Sequence, residues 1–187
     1  MSSRPLKAAI TMAIAGALSL TAAPAQAAPE PDPLAWVDLV PAYTTTGKYS
    51  YEPLAPPDGW ARTNDCVPEM GYHYVNAEYL ADAVVDPAKP EALLYEGGSD
   101  ADDRDLVGVE WIVKNTGQAA PVLFGETFSS TALAGYYTLH AWIYKNNPDG
   151  LFAALNPTVQ CSAAPAPATT TAAVPDWVTD LDALWTS

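Results

Sequence analysis

Basic side chains are scarce in this 187-residue chain, with 8 lysines and arginines against 22 aspartates and glutamates. The resulting formal charge of −14 repels phosphate backbones and anionic lipid heads, which argues against a nucleic-acid partner. Cysteine is limited to 2 residues, so only one internal disulfide is possible. After the first 27 residues no hydrophobic run is long enough to span a bilayer, and no integral membrane segment is expected. The G-x-S-x-G elbow, the phosphate loop and the dinucleotide fingerprint are all missing.

What the chain does have begins with a leader. Arg4 and Lys7 precede an uncharged, alanine-rich stretch from Ala8 to Ala23, which closes on Ala25-Gln26-Ala27. A basic head, a short apolar body and a small-x-small exit are the grammar of a secretory signal peptide, here 1–27. Ala28 follows, not cysteine, so no lipid anchor is expected. Removing Arg4 and Lys7 makes the product still more acidic. Roughly 160 residues remain, which suits one domain. Export delivers Cys66 and Cys161 to an oxidising compartment, where they are expected to pair. Neither has a neighbouring histidine in sequence to activate a thiol.

The body divides into five expected segments. Residues 28–65 read as a short helix over 34–40, ending before Pro41, followed by a covering loop rich in glycine and proline. Residues 66–161 read as a disulfide-closed sheet with strands over 71–75, 91–96, 106–114, 121–128 and 136–145. Short connections predict an antiparallel meander, with a helical turn over 79–85. Residues 162–175 are an Ala/Pro/Thr linker, and 176–187 form an acidic tail. That tail places Trp177, Leu181, Leu184 and Trp185 on one helical face, for a partner groove, for self-docking, or for no fixed structure at all. The fold class is α+β: a short N-terminal helix and loops on a curved five-strand antiparallel sheet, with a mostly β sandwich or barrel as the alternative.

Alternation assigns side chains to faces. In the third strand Val107, Val109, Trp111 and Val113 share one face; Leu106, Gly108, Glu110 and Ile112 share the other. In the fifth, Tyr137, Leu139, Ala141 and Ile143 oppose Tyr136, Thr138, His140, Trp142 and Tyr144. His73, His140 and Glu110 are the candidate catalytic or metal-binding residues, joined at most by Glu69, Glu96 or Glu126. Two imidazoles and a carboxylate suit zinc, copper or iron. No His-x-His or HExxH spacing supports this, so hydrogen-bonded packing is the plainer reading and no metal or cofactor is assigned. Trp142, Tyr144 and Thr138 are the candidate binding residues. The acidic run Asp100, Asp102, Asp103 and Asp105 fails the EF-hand pattern because Arg104 takes the fifth ligand position, so it reads as a solvated turn.

The stretch from Cys66 to Cys161 resembles a family of exported bacterial proteins to which no function is assigned. The resemblance is carried by Met70-Gly71-Tyr72-His73-Tyr74-Val75-Asn76, Pro90-Glu91-Ala92-Leu93-Leu94-Tyr95-Glu96 and Leu106-Val107-Gly108-Val109-Glu110. Leu123-Phe124-Gly125-Glu126, Leu139-His140-Ala141-Trp142, Asn146-Asn147-Pro148-Asp149-Gly150 and Asn156-Pro157 continue it to Cys161. It implies export and brings no activity. The expected function is a secreted or surface-associated, non-catalytic module binding an extracellular ligand or protein. A small pocket enzyme or metal-binding protein using His73, His140 and Glu110, and a structural envelope protein, are the alternatives.

Overall fold

The β-branched and aromatic runs form one open antiparallel sheet of five strands in the order β1-β2-β3-β4-β7. They are β1 (Trp60–Val67), β2 (Gly71–Asn76), β3 (Ala92–Gly97), β4 (Arg104–Lys114) and β7 (Tyr136–Ala141). The computed structural model describes residues 34–98, 100 and 103–161. The expected leader, the linker and the tryptophan tail lie outside the described residues. Every strand pairs with its neighbour in the meander. The fold class is therefore α+β with five strands, and the sheet does not close into a barrel.

The membership of the sheet differs from the sequence reading. The first strand is β1, within the expected covering loop. Its exposed Arg62, Asn64 and Asp65, and the irregularity between Arg62 and Cys66, hide the alternation of an edge strand. The expected strand over 121–128 is instead a separate hairpin of β5 (Val122–Leu123) and β6 (Glu126–Thr127). Phe124 and Gly125 at its turn both have positive φ, the conformation a tight two-residue hairpin requires.

The N-terminal helix also departs from expectation. It does not stop before Pro41: α1 (Ala35–Asp38) gives way to α2 (Val40–Thr46), with Pro41 in the first turn of α2. A proline there removes a donor that has no intrahelical partner anyway. The expected turn over 79–85 is α3 (Ala77–Asp82), which starts earlier because the Asn76 side chain caps it, accepting from Glu78 N and Tyr79 N.

The sheet is buried on both faces. On the first, Trp60, Tyr74, Tyr95, Leu93, Val109 and Trp111 pack under Ala35, Leu39, Ala42 and Tyr49. The Tyr95 hydroxyl donates to the Tyr49 carbonyl at 2.7 Å, tying the helical cover to the sheet. The second face carries two apolar clusters, Val75-Ala92-Ile112-Leu133 and Leu94-Val107-Trp142-Val159. A bulge corrects the expected faces of β4: Leu94 pairs with Gly108 but Tyr95 with Leu106, so Val107 is an extra residue. Leu106 accordingly joins Val109 and Trp111, while Val107 joins Trp142 on the other side.

The expected disulfide is present, joining Cys66 to Cys161 across 95 positions. Beside it the Gly97 N–H donates to the Gln160 carbonyl at 3.0 Å, so the end of the described chain is fastened to β3. Gly71 sits nearby with φ of +92°, and a Cβ there would lie 2.2 Å from the Tyr95 carbonyl oxygen. Only glycine fits. Among the described residues no helix is long and apolar enough to cross a membrane.

Candidate functional site

Three strands, two inner and one at the edge, each contribute one chemistry-bearing side chain to the second face. β2 supplies His73, β4 supplies Glu110 and β7 supplies His140. Glu110 and His140 are direct cross-strand partners. His73 is two strands from Glu110, since it pairs with Leu94 on β3 while Glu110 pairs with Ala92. The diagonal between them passes beside Ala92, whose small side chain leaves room for the imidazole to reach across.

The result is a cluster with one carboxylate oxygen toward each ring. His73 Nε2 lies 3.7 Å from Glu110 Oε2, and His140 Nε2 lies 3.5 Å from Glu110 Oε1. One donor atom from each residue falls within 4.8 Å of the other two. The side chains are 1%, 0% and 2% exposed, so water does not screen them. The two apolar clusters flank them along the sheet, and the His140 ring stacks on Trp142 at 5.9 Å.

Burial sets the protonation states. It pushes the Glu110 carboxyl well above its ordinary range, with the charge of Glu91 adding to the effect. The Thr138 hydroxyl opposes that shift, although it closes no hydrogen bond of ordinary geometry. Burial, helped by the nearby His140, brings His73 down to about 3. Burial alone brings His140 down to about 4. Without an ion, burial favours a neutral acid between two neutral imidazoles.

That neutral state is poorly satisfied. Both Glu110 oxygens, His140 Nε2 and Thr138 Oγ are buried without a hydrogen bond. Each such group costs about 1–3 kcal/mol. A divalent cation changes the balance: it favours the ionised carboxylate and accepts lone pairs from imidazoles that are already deprotonated. Two nitrogens and one carboxylate oxygen match the donor preferences of zinc, iron and copper.

The other candidates are dispersed. Glu69 is exposed in the turn before β2. Glu96 pairs with Lys145 and accepts from Gln160 N at 3.0 Å. Glu126 is exposed on β6. Trp142 is buried, donating through its indole N–H to the Ala153 carbonyl at 2.7 Å. Tyr144 lies past the end of β7, where alternation no longer holds. It goes to the helical side, stacked on Tyr43 at 5.3 Å and hydrogen-bonded to Thr46. Thr138 alone of the three stays beside the cluster. Asp100, Asp103 and Asp105 are exposed, as a solvated turn requires, while Asp102 lies outside the described residues.

Two buried carboxylates went unread in the sequence, Glu52 in an ion pair with Arg62 and Glu91 beneath β4. Glu91 is 1% exposed and accepts from Ile112 N at 2.7 Å, and burial pushes its carboxyl up to about 8. An acid at the head of an apolar run ordinarily marks a solvated strand end, so no local signal singled it out. A recess of about 70 Å³ approaches the cluster from outside, with Thr138 and His140 among its lining residues. No known protein family, curated protein or solved structure matches the chain.

Proposed function

We propose that this protein is an exported, non-catalytic binding protein whose ligand is a divalent transition-metal ion held by His73, Glu110 and His140. The observation that carries this reading is the meeting of three buried donors from three strands, with one carboxylate oxygen toward each imidazole. The leader sequence and the Cys66–Cys161 disulfide support export, since that bond persists where thiols oxidise. The acidic surface supports it further by raising the local concentration of cations.

Metal analysis of the full chain, purified after export without chelator, tests the reading. One equivalent of zinc, iron or copper is expected in the wild type. His140→Ala and Glu110→Gln lose it while keeping the circular dichroism of a folded sheet. Chelator-treated protein should gain thermal stability on addition of zinc or cobalt, because an ion that binds only the folded chain adds about 2.7 kcal/mol at a hundred times its Kd. Wild-type protein that takes up neither ion, and whose melting temperature neither ion moves, sinks the proposal.

A further inference from the structure

Three protein donors do not complete the shell of zinc or iron, and all three rise from one sheet face. What stands over the remaining position is set by β7 and its neighbour. Thr138 lies two residues from His140 on the same strand and face, and opposite Ile112 of β4. Its backbone is locked on both sides, with Ser129 N donating to its carbonyl and its own N–H donating to the Ser129 carbonyl, both at 2.8 Å. Its hydroxyl is buried and lies near enough to lower the Glu110 carboxyl, yet closes no hydrogen bond of ordinary geometry. Valine would have filled the same space without burying an unsatisfied hydroxyl, so the oxygen itself calls for an account.

The recess supplies the second observation. Its lining includes Glu126, Ser129 and Phe152 as well as Thr138 and His140. Its volume of about 70 Å³ has room for a few water-sized groups. His140 Nε2 lies 3.5 Å from Glu110 Oε1, so a residue of the cluster itself lines the recess.

Resting on the metal reading above, we propose that the bound ion carries one small exogenous ligand, a water, a hydroxide or an anion of two or three atoms. It is held by the Thr138 hydroxyl and admitted through this recess. Thr138 donates to the ligand and thereby gains the well-formed hydrogen bond it otherwise lacks. The small recess should favour a linear triatomic over a five-membered ring. The exposed Glu126 at the mouth slows anions relative to neutral water.

The cobalt-substituted full chain tests this, with azide as the small probe and imidazole as the large one, read from the visible spectrum. Azide should alter the spectrum and imidazole should leave it unchanged. Thr138→Val should weaken azide binding about tenfold, the loss of one hydrogen bond to a charged acceptor, with cobalt affinity within about twofold of wild type. Thr138→Ser, which restores the hydroxyl, should recover azide binding. The metal-free Thr138→Val protein should melt no lower than wild type, which separates ligand holding from a structural role. If the wild type takes no cobalt, the metal reading itself fails. If cobalt binds but azide leaves the spectrum unchanged, or binds equally well to Thr138→Val, the Thr138 ligand site is overturned. Imidazole binding as tightly as azide overturns the size limit.

Discussion

The metal-free protein should have an unusual dependence of stability on pH, because its buried groups titrate in opposed pairs. Glu91, at about 8, and Glu110, well above its ordinary range, hold protons in the folded state that the unfolded chain releases above about 4.5. His73, at about 3, and His140, at about 4, reject protons that the unfolded chain accepts below about 6.5. Between those two ordinary values the folded and unfolded states bind equal numbers, and stability is level. From 6.5 toward 8 Glu91 keeps a proton that the unfolded chain has released, so stability falls as pH rises, by up to about 1.4 kcal/mol per unit from this group. Glu110, raised in the same sense, adds to the fall. Below 4.5 the unfolded state holds the two extra protons of the histidines, so stability falls on acidification, and the exposed Asp58, held low by Lys48, acts in the same direction. Urea unfolding of chelator-treated protein from pH 3.5 to 8.5 measures the curve. Glu91→Gln should remove about 1.4 kcal/mol per unit from the alkaline slope, and Glu110→Gln should flatten it further. A stability that climbs between pH 6.5 and 8 would refute the assignment of two protonated carboxyls.

Replacing both Cys66 and Cys161 by alanine should cost about 4–5 kcal/mol, the chain-entropy value for so long a loop, read from urea midpoints at fixed m. Gly71→Ala should unfold the protein or nearly so, whereas Gly117→Ala, with nearly the same φ and nothing within 4 Å of its Cβ, should cost only about 1 kcal/mol of backbone strain. Similar losses at the two sites would show that contact with the Tyr95 carbonyl is not what excludes a side chain at position 71. Ala92→Val adds two methyl groups beside the path from His73 to Glu110. It should lower stability by about 1–3 kcal/mol and weaken zinc binding, and unchanged zinc affinity in a titration would count against the diagonal contact.

Much of the sheet was legible because burial on both faces leaves a simple record. The runs around Tyr72, Leu93, Val109 and Leu139 are apolar or aromatic apart from a few residues such as His73, Glu110, Thr138 and His140, and turn residues separate them. The edge strand was not legible, because Arg62, Asn64 and Asp65 face water and only Trp60 and Thr63 are buried along its first half. The bulge at Val107 could not be read either: it is a relation between β3 and β4, and neither sequence alone carries it. His73, Glu110 and His140 were legible as residue types on predicted strands. Their meeting was not, since it depends on register across four strands and on Ala92 leaving a gap between two of them. Tyr144 misled for the opposite reason. Its place in the alternation was regular, but β7 ends at Ala141 before the pattern reaches it.

The placement of the cluster has a physical consequence for the whole domain. Titratable groups in an apolar layer weaken a fold unless something compensates them, and here the three occupy the middle of the second face between two hydrophobic clusters. An ion held there joins β2 to β4 and β7, although β2 pairs with neither. It would therefore act across strands that the hydrogen-bond ladder connects only through β3. The disulfide does the complementary task at the other end of the topology, tying edge strand β1 to the segment that places Val159 over Trp142. A bound ion would restrain β2 against β4 and β7 while the disulfide restrains β1, and without an ion the buried carboxyl and imidazoles favour admitting water.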